Sequence, residues 1–581
     1  IAAGSKAVCE NLVNNGMMTG AIIGEITNNG SYGEFIEINN AEEFMAMKPG
    51  FNYILMNNIV LPEDYWGGTF GSEWYTCELD GNGKTIYMKG LKSALFQIFH
   101  NVNVHDLKIV GTLSAKAALA GEISNYAQDV TISNVVIDAD ITFNKNVGGF
   151  IEWRRQDVAD VIADNDLAIN VTFNDCAFLG SITTTGGSRT GGFIASWAVS
   201  YGNITFNNCV VGDRGLDTAI KGNDGRVAGF VGKLEGTKKT DNVQLTYNNC
   251  VNYADVAHTG TTNEGASGGF AGRVVNVTAT LNNCDNYGDV STNRGTSWIQ
   301  GVGGLVGEAN RNVMITIDGS NNYGNVYARR SVVGGLLGAV TNASKATIKN
   351  SANFGNVENG VEWNYYAGGI VGSTNNSNGG YWTNYANEIV VDNCQNYGTI
   401  TTQNANTGGV VGGIEGAGNT ALLSVTNSAN YGKMNLVGGN NVGGIIGQGV
   451  AGGTTIVENN VNYGYIAGAT SNHGVGGIMA YPYAETSELI VKNNANYGIV
   501  EGGAGANVAG ITADTNAKKY TYEGNVNYGT IIGVKDNTAG VCGIINDRAN
   551  STFVNNYNYG IVVAAKANLL GPAVPASVKD E

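Results

Sequence analysis

Proline and histidine are nearly missing from this chain, with 5 and 4 of them among 581 residues. Charged side chains make up only 14%, against about 25% in an ordinary soluble domain. Each shortage excludes something. Scarce proline and the lack of a Gly-X-Y period rule out collagen. No apolar run reaches the length of a membrane-spanning helix, so membrane insertion is not expected. No basic face is available. Acidic residues number 48 against 32 basic ones, for a net charge of −16, which argues against a nucleic-acid partner and against docking on anionic lipid. Heptads are lacking, and Gly and Asn are poor helix formers, so a long helical protein is excluded. The histidines, His100, His105, His258 and His473, form no nucleophile–base pattern. Neither Cys-x-x-Cys nor Cys/His spacing suggests a metal site, and no EF-hand or nonapeptide calcium motif occurs. No cofactor is expected.

What is present is glycine, with 86 residues, and a hydrophobic share of 43%. That share, with regularly recurring aromatics, argues against disorder. It points to a turn-rich, strand-rich chain.

The organising signal is an internal repeat. Small residue, any residue, Asn, Tyr, Gly, any residue, Val or Ile recurs, as in Cys284-Asp285-Asn286-Tyr287-Gly288-Asp289-Val290. Its aromatic falls at Tyr253, Tyr287, Tyr323, Phe354, Tyr397, Tyr431, Tyr463, Tyr497, Tyr528 and Tyr559, spaced 31 to 43 residues apart with a mean of 34. Midway between these phrases lies Gly-Gly-apolar-apolar-Gly, as at Gly303-Gly304-Leu305 and Gly443-Gly444-Ile445, reaching upstream to Gly148-Gly149-Phe150. Short alternating strands, such as Val277–Leu281, precede the Asn-Tyr-Gly phrase. Each repeat reads as about three short strands separated by Gly/Asn turns. No such unit buries its own apolar side chains, whereas stacking in register builds one continuous core. The fold expected is all-β, a right-handed parallel β-helix of about 34-residue coils. No proline lies between Pro62 and Pro482, as ladders paired on both sides require. A β-propeller is the alternative, but its blades need about 40 residues or more.

Four segments follow: 1–33, a coil-like N-terminal piece; 34–90, a capping region; 91–571, the repeats; and 572–581, a tail. Ala41–Met47 reads as a short capping helix with Asn40 as N-cap and Glu43 three residues on. Leu79-Asp80-Gly81-Asn82-Gly83-Lys84 reads as a tight turn feeding a strand. Residues Cys9 to Gly24 read as one more coil, placed before the cap.

This order, a capping helix, a strand, Leu-Asp-Gly-Asn-Gly-Lys-Thr-Ile, then Gly-Gly-Leu-Val-Gly repeats with Cys-x-Asn-x-Gly-x-Val, resembles the GLUG-repeat surface proteins over roughly residues 34–571. The resemblance implies an extracellular, adhesin-like parallel β-helix, in bacteria and some protists. The nearly uniform aromatic before the glycine departs from it.

Cys176, Cys209, Cys250, Cys284 and Cys394 share one phase with Ser320, Ser351, Ser428, Asn460 and Asn494. That interchange predicts a ladder of buried free thiols and small polar groups, with Cys9 and Cys77 as the one pair worth testing for a bond. Asn252, Asn286, Asn322, Asn353, Asn396, Asn430, Asn462, Asn496, Asn527 and Asn558 predict a structural Asn ladder. The aromatic column is either a stack holding the turn or a stripe that binds a polymer or a partner. Trp363, Tyr365, Tyr366, Tyr381, Trp382 and Tyr385, in the longest repeat, form a second candidate contact group. Candidate glycosylation sites are Asn29, Asn170, Asn203, Asn276, Asn342, Asn375 and Asn550. If catalysis exists, the irregular stretch Glu152–Asp157 with Asp160, Asp164 and Asp166 is where carboxylates gather.

The expected role is therefore structural or adhesive and extracellular, at the cell surface, without catalysis. The partner is the chain itself in a head-to-tail fibre, or a surface glycan or protein. The alternatives are a carbohydrate-binding protein and a polysaccharide lyase or hydrolase.

Overall fold

A computed structural model describes residues 34–564 apart from internal stretches, the longest being 155–167 and 375–387, together with the backbone of Lys6–Cys9 and Glu25–Asn28. The chain winds as a parallel β-helix. One coil shows the pattern: strands Thr278–Asn282, Asp285–Asn286, Val290–Thr292, Gly301–Gly303 and Val306–Asn310. Each pairs in parallel with its counterpart in the next coil, so that Thr278–Asn282 runs beside Met314–Asp318. The first three strands of each coil share one broad sheet, the fourth builds a 12-stranded sheet and the fifth a 15-stranded sheet. A repeat thus holds five strands where the sequence suggests three. Asn283, at φ 52, and the Tyr-Gly corner break one face into three pieces. The Gly-Gly bend breaks the returning face into two.

Period-two patterning sets the faces. In Thr278–Asn282 the side chains of Ala279 and Leu281 are buried, while Thr278, Thr280 and Asn282 point outward. Inside, equivalent residues stack on one another. Phe150, Phe193, Phe230 and Phe270 form a column with centroids 4.4–5.0 Å apart. A second column, Phe173, Phe206 and Tyr247, stands edge-on to it at 4.9 Å steps.

The Gly-Gly phrase has a steric cause. Its bend crosses the interior and touches the Asn column of the next coil. A Cβ on Gly304 would lie 2.2 Å from the Gly335 carbonyl oxygen and 2.3 Å from Cγ of Asn322. The two repeated phrases are therefore packed against each other, and one constrains the other.

The capping helix spans Ala41–Met45. Glu43 donates its N–H to Asn40 Oδ1 at 3.0 Å, and its carboxylate accepts from the Asn39 N–H and from Asn40 Nδ2. This is the reciprocal capping expected, and the Asn39 N–H holds the Glu43 carboxyl below its ordinary range. Phe44 is buried against the rings of Tyr65 and Phe96 at 6.2 and 6.0 Å. The Asp80–Lys84 stretch departs from the expected turn. It is a bulge inside the single strand Cys77–Leu91, whose register with Val102–Leu113 shifts between Asp80 and Lys84. Among the described residues no helix is long and apolar enough to cross a membrane.

Candidate functional site

The most regular surface feature is the aromatic column. Each Asn-Tyr corner is fixed by backbone bonds: Tyr287 donates to the Asn252 carbonyl and Tyr323 to that of Asn286, both at 2.7 Å. All ten rings, Tyr253 through Tyr559, stack face to face with centroids 4.6–5.6 Å apart and planes within 20°. Nine coil-to-coil steps make the column roughly 43 Å long. From Tyr287 to Tyr528 the residues are 39–47% exposed. Ring faces are covered by the rings above and below, so what meets solvent is edges and hydroxyls. Sugar stacking needs an open face, and along the column no described ring except the terminal ones has one to offer. The arrangement suits side-on contact with something equally repetitive. Burial, then the nearby Asp285 carboxylate, raises the Tyr287 and Tyr323 hydroxyls above their ordinary range.

Beneath the column runs the Asn ladder. Each Asn Nδ2 donates to the carbonyl two residues on and to Oδ1 of the next Asn, as in Asn396 to Gly398 at 3.0 Å and to Asn430 at 2.9 Å. Nine such steps link Asn252 to Asn558 at 2.7–3.0 Å. Asn252 to Asn527 are fully buried. The Cys/Ser phase has the same logic. Cys284 Sγ donates to the Asn282 carbonyl at 3.3 Å, and Ser428 Oγ to that of Thr426 at 2.7 Å. A thiol and a hydroxyl make the same bond, which is why they interchange. Asn460, Asn494, Asn525 and Asn556 continue the column as a second amide ladder. The seven cysteines with described side chains, including Cys77, are free and buried. Burial pushes the Cys394 thiol up to about 12 and those of Cys209 and Cys284 far up. The side chain of Cys9 lies outside the described residues.

The Trp363–Tyr385 group is corrected at one position. Tyr366 is 1% exposed and packs with Val332 and Ala339, its hydroxyl accepting from Gln448 Nε2 at 3.2 Å. It is interior and offers no contact surface, because it points into the space between the 12- and 15-stranded sheets. The side chains of Trp363, Tyr365, Tyr381, Trp382 and Tyr385 lie outside the described residues. Of the sequons, Asn203 and Asn550 are exposed. Asn170, Asn276 and Asn342 are half-buried, with their amides donating to Asp129, Gly236 and Asn310. Asn29 and Asn375 lie outside the described residues.

That space between the two sheets is a thin polar layer that sequence reading missed. Asn406 donates to Gln448 across it at 2.9 Å and accepts from Asn441 at 3.0 Å. Towards the N-terminus it becomes ionic, with Arg226 buried, Lys233 paired to Glu235, and Arg273 paired to Glu308 at 3.4 Å. The signal was available: these positions sit two residues before Gly-Gly (Arg189, Tyr366, Asn406, Asn441) or before its Ala-Gly variant (Arg226), or one after the closing glycine (Lys233, Arg273, Glu308, Gln448). Glu152 is buried, 3.8 Å from Lys116, and burial raises its carboxyl to about 7. Asp157, Asp160, Asp164 and Asp166 lie outside the described residues.

His105 was also passed over. Its Nδ1 lies 2.8 Å from Asp106 and its Nε2 2.8 Å from Glu78, with Asp80 at 3.7 Å. Asp80, His105 and Asp106 bring three ligand-type atoms within 4.8 Å of one another. Both ring nitrogens face carboxylates, an arrangement for a doubly protonated imidazolium, and the bonds to Asp106 and Glu78 raise its pKa against the lowering effect of burial. The cluster ties adjacent coils, with Glu78 and Asp80 on one and His105 and Asp106 on the next.

Neither a protein-family model nor a curated protein matches the chain. A solved structure with similarity is that of a candidate immunoglobulin A1 protease from Bacteroides ovatus. It is 16% identical, with 59% of this chain and 84% of that one covered, at a TM-score of 0.30, too loose a likeness to bear on activity.

Proposed function

We propose that this chain is an extracellular structural or adhesive solenoid at a cell surface, the role implied by its resemblance to GLUG-repeat proteins, and that it has no catalytic activity. The observation that carries this reading is the ring column. Ten rings, at coil-spaced intervals, turn an edge outward, and all but Phe354 carry a hydroxyl. A catalytic site converges different groups on one point, whereas this surface repeats one group along a line. Repetition suits many weak, equal contacts with a partner of similar period, whose joint strength comes from multivalency.

The test is surface labelling of intact source cells, with co-sedimentation of the purified protein on cells and on insoluble polysaccharides. Exposed label is expected, with retention that drops when Tyr397, Tyr431 and Tyr463 are together replaced by Ser. Retention untouched by that triple substitution removes the column from the function. Release of reducing ends or unsaturated products from pectin, alginate or glycosaminoglycans would overturn the non-catalytic reading.

A further inference from the structure

The two ends of the described solenoid differ from its middle. Between residues 88 and 498 the exposed large apolar side chains outside the ring column are, among the described residues, Leu216 and Met314 alone. At the C-terminal end, Val554, Ile561 and Val563 are 42%, 65% and 51% exposed, and Tyr559 reaches 68%. Columns sealed upstream open here. Ile531 is fully buried, while its partner Val562 is only half-buried. The strands Thr552–Val554, Tyr557–Asn558 and Val562–Val563 pair with a described coil on one side only. Upstream, each ladder Asn donates to its own coil and to the next. Asn558 Nδ2 donates within its own coil, to the Gly560 carbonyl at 3.1 Å. The geometry is that of a stack ready for another coil.

Ahead of the solenoid in sequence lies a pair of strands. The backbone of Lys6–Cys9 pairs in parallel with Glu25–Asn28, Lys6 opposite Glu25 and Cys9 opposite Asn28, and these two strands form a sheet of their own. A parallel pair joined by a crossover is the element of which this solenoid is made. Two strands alone are marginal in water, and their free edges are pairing templates. The segment ahead of Glu34 ends where the stacked coils begin. Its Gly20-Ala21-Ile22-Ile23-Gly24-Glu25 repeats the phrase Gly303-Gly304-Leu305-Val306-Gly307-Glu308. That puts Glu25–Asn28 in the phase of the 15-stranded sheet, whose C-terminal edge strand is Cys542–Ile544.

We propose that the partner at the C-terminal end is a second copy of this chain: residues 1–33 of one subunit add to the coil ending at Val563 of the next. The contact joins unlike surfaces and does not close, so it propagates as a filament. The affinity comes from strand addition and from burial of the exposed Val554, Ile561 and Val563 side chains. This assembly builds on the structural role proposed above and gives it a partner, but the two fail separately.

The test uses the full chain. Sedimentation and negative-stain microscopy at rising concentration are expected to show unbranched filaments with a subunit rise of roughly 75 Å, from fifteen or so coils at the inter-strand spacing. Ile561→Lys with Val563→Lys changes two side chains already exposed in the monomer, so circular dichroism should be unchanged while filaments are lost. A peptide of residues 1–33, added in excess, should shorten wild-type filaments by capping that end. Filaments that persist in the double-lysine variant overturn the proposal. So does a full chain that stays monomeric at every concentration; if removing residues 565–581 then releases polymerisation, that segment and not a second copy is the native cover. A monomer on the cell surface would leave the adhesive reading standing.

Discussion

Coils up to residue 270 keep aromatic rings inside, in the Phe150–Phe270 and Phe173–Tyr247 columns, whereas the next coils fill the same interior with Leu305, Leu336, Ile370 and Val410, and from Tyr253 onward rings stack on the outer corner. The position of the Asn ladder changes hands at the same place. Ile137, Phe178 and Val211 occupy it upstream and Asn252 onward downstream. In a solenoid the nearest neighbour of a side chain is its own counterpart one coil away. A column can therefore be apolar or polar throughout at little cost, and the strain falls on the switch. It is visible there: Oδ1 of Asn252 is buried without a hydrogen-bond partner, because the residue that would donate to it is Val211.

That comparison can be broken in three ways. The largest expected effect is on the inner rings. Phe193→Ala removes a buried ring that contacts Phe150, Phe173, Phe206 and Phe230, and should cost about 4 kcal/mol in urea unfolding. Tyr431→Ala, in the outer stack, should cost about 1 kcal/mol, since the ring edges are already wet. Equal costs would mean that the outer column is as structural as the inner one.

The second concerns the ladder. Asn396→Val strands the Asn353 donor and the Asn430 acceptor, both buried, and is expected to cost about 3 kcal/mol. Asn252→Val also loses two donor bonds, but it strands the Asn286 acceptor in exchange for its own orphaned Oδ1 and strands no donor, so about 1 kcal/mol is expected. Thermal or urea midpoints of the two variants decide it, and a larger loss at Asn252 would refute the view that the ladder's end is its weak step.

The third sets the charged end of the polar layer against its neutral end. Burial raises Glu152 from 4.5 to about 7. The folded state thus holds its proton more tightly than the unfolded chain does, and stability falls as pH rises from about 4.5 to about 7. At about 1.4 kcal/mol per pKa unit, about 3 kcal/mol should be lost over that window, and Glu152→Gln should flatten the slope. Asp514, raised by burial from 3.8 to about 6, acts with the same sign over a lower window. Urea midpoints from pH 4 to 8 (roughly the range of both windows) measure both, and a slope unchanged in the Gln variant would remove Glu152 from the account.

Much of this architecture was legible because a solenoid column is a one-dimensional pattern. The Asn, Cys/Ser and Tyr columns could each be read from spacing. The Asn corner residues such as Asn283, Asn393 and Asn427 could have been read too. They precede the Cys/Ser phase and take the left-handed conformation at φ 51–52 that Asn tolerates. Tyr366 was misread because a residue two places before Gly-Gly lies on a strand whose outward face meets another sheet, and local pattern cannot distinguish that sheet from solvent.

By itself, then, the sequence determined the columns: their members, their period of 34 and the homotypic stacking that follows when like sits on like. Tertiary structure alone decided what each column faces. It brought the Gly-Gly bend against the Asn ladder, sealed the Arg226–Gln448 layer between two sheets, and left the tyrosines edge-on to solvent with their faces covered. The physical reason is that stacking along the axis is fixed by the repeat, whereas contacts across a coil depend on where the corners return the chain, and those angles are set by the packing of the whole cross-section.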